Sequence, residues 1–380
     1  MPRTGHHVER AIFDLRRGVP VVLQDADTAT LIQPMEGLSA SQLATLQEDA
    51  ALVITGHRLA VLNGDAGGVS RQVEALRLPL GSCGPLDLAR LERLAFGSQA
   101  EPRTAALAQP AGAGEHGALA LMRRALLIPA ALTVELTGAA RSAAQARIDA
   151  GEWLSVEAEA AIDCFDSAAG MLTRVSEARI PLAEATESRF ILFREPDGLR
   201  EHVAVVIGEP GDWQPAVPLR LHSACLTGDL FGSLRCDCGE QLRNAVADIE
   251  SLGGGVLLYL AQEGRGIGLA NKLRAYTLQD GGLDTVDADR VLGFGDDERH
   301  YRAAVDMLAA LEIQRIQMLT NNPQKISALQ AGGIEVVERQ ALYGRLNDHN
   351  RRYLSAKAER SGHLLDEVLN ADTSRSSACK

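Results

Sequence analysis

The sequence predicts a mixed α/β protein of two domains, each a sheet with packed helices. At 380 residues the chain exceeds the usual size of one domain, for which about 150 residues is a working figure. Short β-rich runs alternate with helical patterns, which is typical of α/β architecture. Glycine-bearing motifs become dense after residue 172. We therefore expect domains at 1–172 and 173–366, followed by a disordered tail at 367–380.

Local patterns of apolar residues predict the elements of the first half. Helical spacing or alanine-rich composition indicates helices, and β-rich runs indicate strands. Ser39 and Ser41 are candidate caps of one helix, and the alanine-, glycine- and proline-rich stretch 98–116 predicts a loop. The predicted helices are 8–17, 40–48, 118–127, 139–150 and 156–172, and the predicted strands are 21–23, 52–54, 59–62 and 131–136.

In the second half, strands and helices alternate around short polar motifs. Asp296 or Asp297 is a candidate acidic cap of one helix, and Pro323 suits the first turn of another. The predicted strands are 203–207, 256–260 and 313–319, and the predicted helices are 241–250, 269–279, 298–311 and a helix from Pro323.

Composition and charge exclude several classes of protein. The chain is 46% hydrophobic and 23% charged, as in soluble globular proteins. A net charge of −12 argues against a general nucleic-acid-binding surface but allows one small anion held by local cations. We find no signal-peptide pattern at the start, and no apolar run approaches a membrane span. We therefore expect a cytoplasmic protein with reduced cysteines and neither nucleic-acid nor membrane partners.

The strongest chemical signal is a cluster of three of the six cysteines, Cys225, Cys236 and Cys238. In a reducing compartment, clustered thiols are more often metal ligands than disulfides. Three ligands are typical of a catalytic zinc whose fourth position is open to water, and zinc lowers the pKa of that water. Two alternatives stay open: thiols packed as small hydrophobes, or a structural site with His222 as fourth ligand. The isolated Cys83, Cys164 and Cys379 have no assigned role.

Two turns between a strand and a helix suit an anion. In the run 262–268, glycines let backbone N–H groups approach a phosphate, and Arg265 can contact it in bidentate fashion. The run 320–325 lies at the usual ligand edge of an open α/β sheet, with Lys325 in the first helical turn. Each pattern also occurs in ordinary turns, and the acidic run 296–298 alone indicates only helix capping.

Together these motifs resemble GTP cyclohydrolase II, the first enzyme of riboflavin synthesis. The resemblance covers about 175–365 and ends in a family-like Gly362-His363-Leu364-Leu365 after Lys357. The family hydrolyses GTP to 2,5-diamino-6-ribosylamino-4(3H)-pyrimidinone 5′-phosphate, formate and pyrophosphate. The motifs that carry it, in order, are His222-Ser223-x-Cys225-Leu226-Thr227-Gly228-Asp229, Leu234-Arg235-Cys236-Asp237-Cys238-Gly239, 262–268, Asn271-Lys272-x-Arg274-Ala275-Tyr276 and 319–323.

The resemblance implies which residues bind the metal and GTP. The three clustered cysteines match the ligands of one catalytic zinc per subunit, whose water attacks C8 of guanine. Magnesium on the triphosphate and a homodimer are further implications. Many members have Glu where this chain has Ala224, so only the backbone can contribute there. The matching GTP-contacting positions are Arg220, Leu221, His222, Ser223, Ala224, Gln241, Glu263, Gly264, Arg265, Thr285, Thr320 and Lys325.

The resemblance also implies catalytic roles. Arg299 matches the family's proposed nucleophile toward the α-phosphate, Asp297 its proton acceptor, and Tyr276 a tyrosine needed for ring opening. A guanidinium stays protonated, so electrostatic stabilisation of the α-phosphate by Arg299 is at least as good an interpretation.

The first half resembles 3,4-dihydroxy-2-butanone-4-phosphate synthase over residues 8–23. In that family an acidic loop binds magnesium and transfers protons, but here the loop 24–30 lacks its Glu-Asn-Glu-Gly-Asp core. Aligned on Pro129 and Glu135, the family's His and Glu become Gly114 and His116. We therefore expect a degenerate, non-catalytic module for dimerisation or solubility.

Two alternative functions stay open at this point. One is a bifunctional riboflavin enzyme that also makes 3,4-dihydroxy-2-butanone 4-phosphate, against which the altered loop argues. The other is a paralogue that binds GTP and zinc without turnover, against which the intact catalytic positions argue.

Overall fold

The computed structural model describes residues 3–45, 50–65, 75–84, 87–165 and 172–342, together with 344, 346, 347, 350, 358, 362 and 364. The chain divides into two compact units, which are Met1–Ser167 with Ala270–Glu298, and Ala168–Leu269 with Arg299–Lys380. The first unit thus includes a segment from the second half of the sequence. The predicted tail, Cys379, Lys357 and His363 lie outside the described residues, and the domain boundary at 172 stays a prediction.

The first unit contains a mixed sheet. Among its described residues the strands are β1 (Val21–Gln24), β2 (Ala29–Pro34), β3 (Ala51–Thr55), β4 (Ala75–Pro79), β5 (Gln109–Pro110), β6 (Ala130–Glu135) and β7 (Leu154–Glu157). Their order is β5-β4-β3-β6-β2-β1-β7, and only β1 and β7 pair in parallel. β3 lies inside the sheet and is buried along its whole length, which explains its unbroken apolar run Ala51–Ile54.

The second unit contains another sheet. Its strands, within the described ranges, are β8 (Thr173–Arg179), β9 (Ser188–Arg194), β10 (Glu201–Ile207), β11 (Val217–Ser223), β12 (Gly255–Leu260), β13 (Arg315–Leu319) and β14 (Glu335–Gln340). The order is β14-β13-β11-β12-β10-β9-β8, with β12, β11, β13 and β14 parallel and the other pairs antiparallel. The carboxyl ends of β12, β11 and β13 therefore meet at one edge, which positions the site described below.

Helices cover the sheets and fill connections. In the described residues they are α1 (Arg3–Arg16), α2 (Ala40–Ala44), α3 (Gly56–Leu62), α4 (Leu88–Phe96), α5 (Pro102–Ala105), α6 (Ala113–Arg124), α7 (Gly138–Asp149), α8 (Ala158–Ile162), α9 (Leu226–Asp229), α10 (Cys238–Ser251), α11 (Leu269–Asp280), α12 (Thr285–Val291), α13 (Arg302–Ala310) and α14 (Pro323–Ala331). Within these ranges, no helix combines the length and apolar character that a membrane span requires.

The second sheet separates two apolar cores, because side chains alternate between its faces. Ala204 and Val206 of β10 join one core with α13, whereas Val205 and Ile207 join the other with α10. Because both faces of the sheet are covered, the sequences of β10 and β12 contain continuous apolar runs.

The predicted α/β fold class is confirmed, since each unit contains a seven-stranded sheet with helices in the described residues. The predicted starts of two helices are also confirmed. Ser39 forms a capping box with Gln42 at the start of α2, and Pro323 occupies the first turn of α14 behind the Asn322 cap.

Several predicted elements are wrong. Residues 59–62 belong to helix α3, because Thr55 caps a helix there and a short apolar run fits either state. The predicted loop 98–116 contains α5, β5 and the start of α6. Residues 156–165 begin with the end of β7 and continue through α8 into a 3₁₀ turn, whereas 166–171 and residues 46–49 of the predicted helix 40–48 lie outside the described residues.

The helix predicted from residue 298 begins only at Arg302, so neither Asp296 nor Asp297 caps it. Strands β8, β9, β11 and β14 and helix α12 were not among the predicted elements. β8 is exposed at every residue, so it lacks the apolar alternation that the sequence analysis used to find strands.

Candidate functional site

Three parallel strands bring predicted site residues of the second unit to one sheet edge. β11 ends at Ser223, which pairs in register with Leu260 at the end of β12, and β13 ends at Leu319 on the other side of β11. The residues that follow these ends are Ala224 and Cys225, the turn 261–266, and Thr320. The carboxyl ends of these parallel strands thus bring together motifs that are up to about 100 residues apart in sequence.

The three predicted metal ligands lie together at this edge. The Sγ atoms of Cys225, Cys236 and Cys238 all lie within 4.8 Å of one another, and those of Cys225 and Cys236 are 3.7 Å apart. Sulfurs bound tetrahedrally to zinc at about 2.3 Å would be separated by about 3.8 Å. All three cysteines are reduced rather than disulfide-bonded, and two are buried. The donor set therefore fits one zinc ion.

Two glycines allow the thiols to gather. A Cβ at Gly228 would lie 2.7 Å from the Cys236 sulfur and 3.1 Å from the Cys225 sulfur. A Cβ at Gly239 would lie 2.3 Å from the carbonyl oxygen of Gly228. Side chains at these positions would collide with the cluster or its backbone, so α9 and the start of α10 approach closely only because both residues are glycine.

The Asp229 carboxylate bonds to three residues at or near the cluster. Its carboxylate accepts hydrogen bonds from the backbone N–H of Cys225 at 2.9 Å and from the Tyr259 hydroxyl at 2.9 Å, and it pairs with His222 Nε2 at 3.1 Å. Burial lowers the pKa of His222 and raises the pKa of Tyr259, so both side chains are neutral near pH 7. Sequence reasoning assigned no role to Asp229 or Tyr259, although Asp229 stands four residues after a cysteine ligand.

His222 is not a fourth metal ligand in this arrangement. Across the described residues, the side chains grouped closely enough to share a metal are the three cysteines. The His222 ring instead stacks on Tyr259, with centroids 5.5 Å apart and an interplanar angle of 10°. Three protein ligands, with the fourth coordination position left open, are expected of a catalytic zinc.

Two buried cations lie beside the cluster. The Arg220 guanidinium donates to the Leu319 carbonyl at 2.9 Å and to Gln241 Oε1 at 2.8 Å, and Lys325 Nζ donates to the Leu221 carbonyl at 2.8 Å. Burial is the main cause that lowers the pKa of Arg220 to about 10, so the residue stays charged at neutral pH. Buried cations at a sheet edge favour an anionic ligand.

Among the described residues, several buried polar atoms at this edge have no hydrogen-bond partner. Three of them, Arg220 Nε, His222 Nδ1 and Ser223 Oγ, belong to the last four residues of β11. Buried polar atoms are nearly always paired in native proteins, so these three can accept or donate to a polar ligand. Ala224, in contrast, already donates its backbone N–H to Leu260, which leaves its carbonyl for any such contact.

The turn after β12 is conformationally strained. Gly264 and Arg265 both adopt left-handed backbone angles, with φ of 63° and 59°. A non-glycine residue pays about 1–2 kcal/mol for this conformation, and such strain is concentrated at functional sites. The Glu263 carboxylate accepts from the Leu226 backbone N–H at 2.6 Å and thereby ties this turn to α9. Thr320, at the end of β13, is buried and accepts from the Asn322 N–H at 3.1 Å.

The remaining predicted residues fall in different units. Tyr276 in α11, Thr285 at the start of α12 and Asp297 belong to the segment Ala270–Glu298 of the first unit. The Tyr276 ring lies 5.7 Å from Lys272 Nζ, and Asp297 is exposed.

Arg299 begins the following part of the second unit. Its guanidinium lies 5.9 Å from the ring centre of Tyr301, and its charge adds to the burial that lowers the pKa of Arg220.

Comparisons with known proteins identify relatives along the chain. The model of the GTP cyclohydrolase II family matches residues 173–341. A GTP cyclohydrolase-2 of Azospirillum brasilense is 43% identical over 366 residues, which are 94% of this chain and 93% of that protein. A GTP cyclohydrolase-2 of Xylella fastidiosa (strain Temecula1) is 41% identical over 94% of this chain and 87% of that protein. In a GTP cyclohydrolase-2 of Pseudomonas aeruginosa, 52% identity extends over 50% of this chain and 90% of that protein.

A solved structure of RibBX, a two-domain 3,4-dihydroxy-2-butanone 4-phosphate synthase from A. baumannii, aligns with 89% of this chain and 99% of that chain at 13% identity and a TM-score of 0.30. The sequence relatives from Azospirillum and Xylella extend through both halves. The chain therefore belongs to the GTP cyclohydrolase II family.

Proposed function

We propose that this protein is a zinc-dependent GTP cyclohydrolase II, which converts GTP to 2,5-diamino-6-ribosylamino-4(3H)-pyrimidinone 5′-phosphate, formate and pyrophosphate at the start of riboflavin synthesis. The observation that carries this proposal is the gathering of three thiols at the carboxyl edge of the parallel strands. Membership of the family supports the choice of GTP as substrate.

Cys225, Cys236 and Cys238 would hold the zinc. A zinc ion with three protein ligands supplies Lewis acidity and lowers the pKa of water in its open position, which makes a nucleophile available near pH 7. Asp229 accepts a hydrogen bond from the backbone N–H of Cys225 and so holds this ligand in place. The Tyr259 hydroxyl donates to the same carboxylate and holds it in turn, so the ligand geometry is preorganised.

The charged and polar groups of the edge suit the rest of GTP. Arg220, Lys325 and Arg265 would offset the charge of the triphosphate, with Mg²⁺ accompanying it. Ser223 and His222 have unpaired buried atoms that suit a polar base such as guanine. Further GTP contacts are proposed for Leu221, Ala224, Gln241, Glu263, Gly264, Thr285 and Thr320.

Three residues are proposed to act on bonds of the substrate. Asp297 would accept a proton, and Tyr276 would assist ring opening. For Arg299 we favour electrostatic stabilisation of the α-phosphate, because a guanidinium stays protonated and is therefore a poor nucleophile.

The experiment that tests this function is product analysis with the full chain. Incubation with GTP, Zn²⁺ and Mg²⁺ should release formate, pyrophosphate and the diaminopyrimidine in equal amounts. Pyrophosphate without formate would exclude zinc-dependent ring opening. Bound GTP without any product would instead identify a binding paralogue.

Replacement of one ligand tests the zinc site directly. Cys236→Ser should remove both the bound metal and formate release, because only two thiolates remain. Cys83→Ser is the matched control, since Cys83 is also a free buried thiol but lies in the first unit. Formate release by Cys236→Ser at the wild-type rate would refute the catalytic role of zinc.

For the first half we propose a non-catalytic role. The loop 24–30 keeps Asp25 and Asp27 but lacks the Glu-Asn-Glu-Gly-Asp core, and Gly114 and His116 stand where the synthase family has His and Glu. The full chain should therefore make no dihydroxybutanone phosphate from ribulose 5-phosphate and Mg²⁺, and measurable turnover would overturn this assignment. A homodimer and a cytoplasmic location stay predictions.

A further inference from the structure

Residues 293–298, here called the Asp297 loop, connect α12 to the start of the next segment and belong to the first unit. Side chains of the first half contact this loop and the end of α12 at several points. These contacts join residues that are 175 to 238 positions apart in sequence, and they lie within one compact unit.

Arg58 and Thr55, at the start of α3, anchor the beginning of the loop. Arg58 is fully buried, and its guanidinium donates to the carbonyl of Val291, the last residue of α12, at 3.0 Å. The same guanidinium donates to the Leu94 and Arg93 carbonyls in the last turn of α4 at 2.8 and 2.6 Å. A cation at two helix C-termini interacts favourably with the carbonyl groups and the negative end of the dipole there.

Thr55 adds a second anchor two residues further on. Its hydroxyl donates to the Gly293 carbonyl at 2.7 Å in a buried position. Gly293 has a φ of +88°, and a Cβ there would lie 3.1 Å from Pro129 and 3.4 Å from the Thr55 hydroxyl. The loop therefore leaves α12 in a conformation that glycine permits and that residues of the first half surround.

Arg123, in the last turn of α6, anchors the end of the loop. It donates through Nε at 3.0 Å and through a second guanidinium nitrogen to one carboxylate oxygen of Glu298. The other oxygen of Glu298 accepts from the Gly295 N–H at 2.8 Å. Glu298 is thus both paired across the unit and bonded to its own loop, with its side chain only 6% exposed.

These anchors lie on both sides of Asp297. Asp296, whose side chain is 50% exposed, pairs with Arg290 through two bonds of 3.0 and 3.2 Å, and Glu298 pairs with Arg123. Asp297, between these two residues, is also exposed. Fixing the neighbours on both sides restricts the backbone from which Asp297 projects. Such preorganisation matters most for a residue that must meet a reacting atom at a defined distance.

We propose that Arg58 and Arg123 are positioning residues for Asp297, so that the first half contributes to GTP hydrolysis by holding this loop. The inference rests on the proposed function, because it requires a reaction in which Asp297 takes part. It gives the first half a role that needs no chemistry of its own.

The test compares two arginines of the first half in the full-length zinc-loaded protein. Arg123→Ala removes the anchor of Glu298, and Arg90→Ala is the matched control. The Arg90 side chain is 24% exposed against 23% for Arg123, and it likewise pairs with a glutamate, Glu101. Its guanidinium also donates to the Thr104 hydroxyl and to the Cys83 carbonyl, both in the first half.

A displacement of about 1 Å at a reacting group can cost about 100-fold in rate. We therefore expect Arg123→Ala to lower kcat for formate and pyrophosphate release by roughly 10- to 100-fold, with KM for GTP within about threefold of wild type. Zinc content should be unchanged. Hydrogen–deuterium exchange of the Asp297 loop should rise, whereas Arg90→Ala should change neither kcat nor this exchange.

The same readouts decide against the proposal. Equal kcat values for Arg123→Ala and Arg90→Ala would overturn it, whether or not exchange of the loop rises. If Arg123→Ala does not fold, Arg123→Lys, which keeps the charge but not the fork of donors, is compared in the same way. It should show a lower kcat at an unchanged Tm, and wild-type kcat with wild-type exchange would overturn the proposal. Absence of formate from the wild-type protein would instead refute the proposed function.

Discussion

The glycine beneath the thiol cluster provides the sharpest test of the metal site. Gly228→Ala adds one methyl group and changes no ligand. The new Cβ would lie 2.7 Å from the Cys236 sulfur, 3.0 Å from Cys238 Cβ and 3.1 Å from the Cys225 sulfur. Ordinary contact begins at 3.4 Å, so the Cys236 sulfur or the backbone of α9 must move by about 0.7 Å.

This displacement is large compared with the tolerance of a zinc site, in which ligand distances hold within about 0.2 Å. Disturbing groups that merely orient ligands already costs about 10- to 100-fold in metal affinity. We therefore expect Gly228→Ala to bind zinc at least 10- to 100-fold more weakly, with formate release reduced in proportion to the lost metal.

The assay is zinc titration against a competing chelator, followed by formate measurement at each metal occupancy. Gly211→Ala is the matched control, because a Cβ at Gly211 meets nothing within 4 Å and its backbone is not left-handed. Wild-type zinc affinity in Gly228→Ala would refute the reasoning, since the three thiols would then tolerate a methyl group in their midst.

Two further predictions concern strain and pH. Arg265→Gly removes a left-handed non-glycine residue, a cost of roughly 1 kcal/mol, together with a guanidinium. The free energy of unfolding of this variant, measured in urea, should be unchanged or higher, and its KM for GTP should be higher. Lower stability with an unchanged KM would contradict this. Burial lowers the pKa of His57 from its ordinary 6.5, so below that pH the unfolded chain binds a proton that the folded protein does not. Stability therefore falls as the pH drops below 6.5, and Tm between pH 7 and pH 5 should fall less steeply in His57→Gln; parallel curves would refute the assignment. The charges acting on His57 are Asp296 and Glu298, which raise its pKa, and Arg290 and Arg123, which lower it.

Helices and strands with strong local signals were predicted well. The apolar run 256–260 and the helical spacing of 241–250 correctly predicted strand β12 and helix α10. Ser39 caps α2, and Pro323 lies in the first turn of α14, as predicted. The run 59–62 was misassigned because four apolar or small residues fit a strand and a helix alike, and only the cap at Thr55 decides between them.

The candidate site shows the same division. The C-x-C spacing predicts a metal centre, and the structure brings Cys225, Cys236 and Cys238 together. The contacts of Asp229 with Tyr259 span 30 residues and depend on the pairing of β11 with β12, so no local pattern reveals them.

The sequence by itself determined the α/β class and the family, and it predicted the three clustered cysteines as metal ligands, because these depend on residue types at short, fixed spacings. Only the tertiary structure decided that Ala270–Glu298 packs within the first unit and that Arg58 and Arg123 anchor the Asp297 loop. Those bonds join residues 233 and 175 positions apart. These contacts form only in the folded chain, where buried arginines pair with helix-end carbonyls and with a carboxylate. No periodicity in the sequence indicates them.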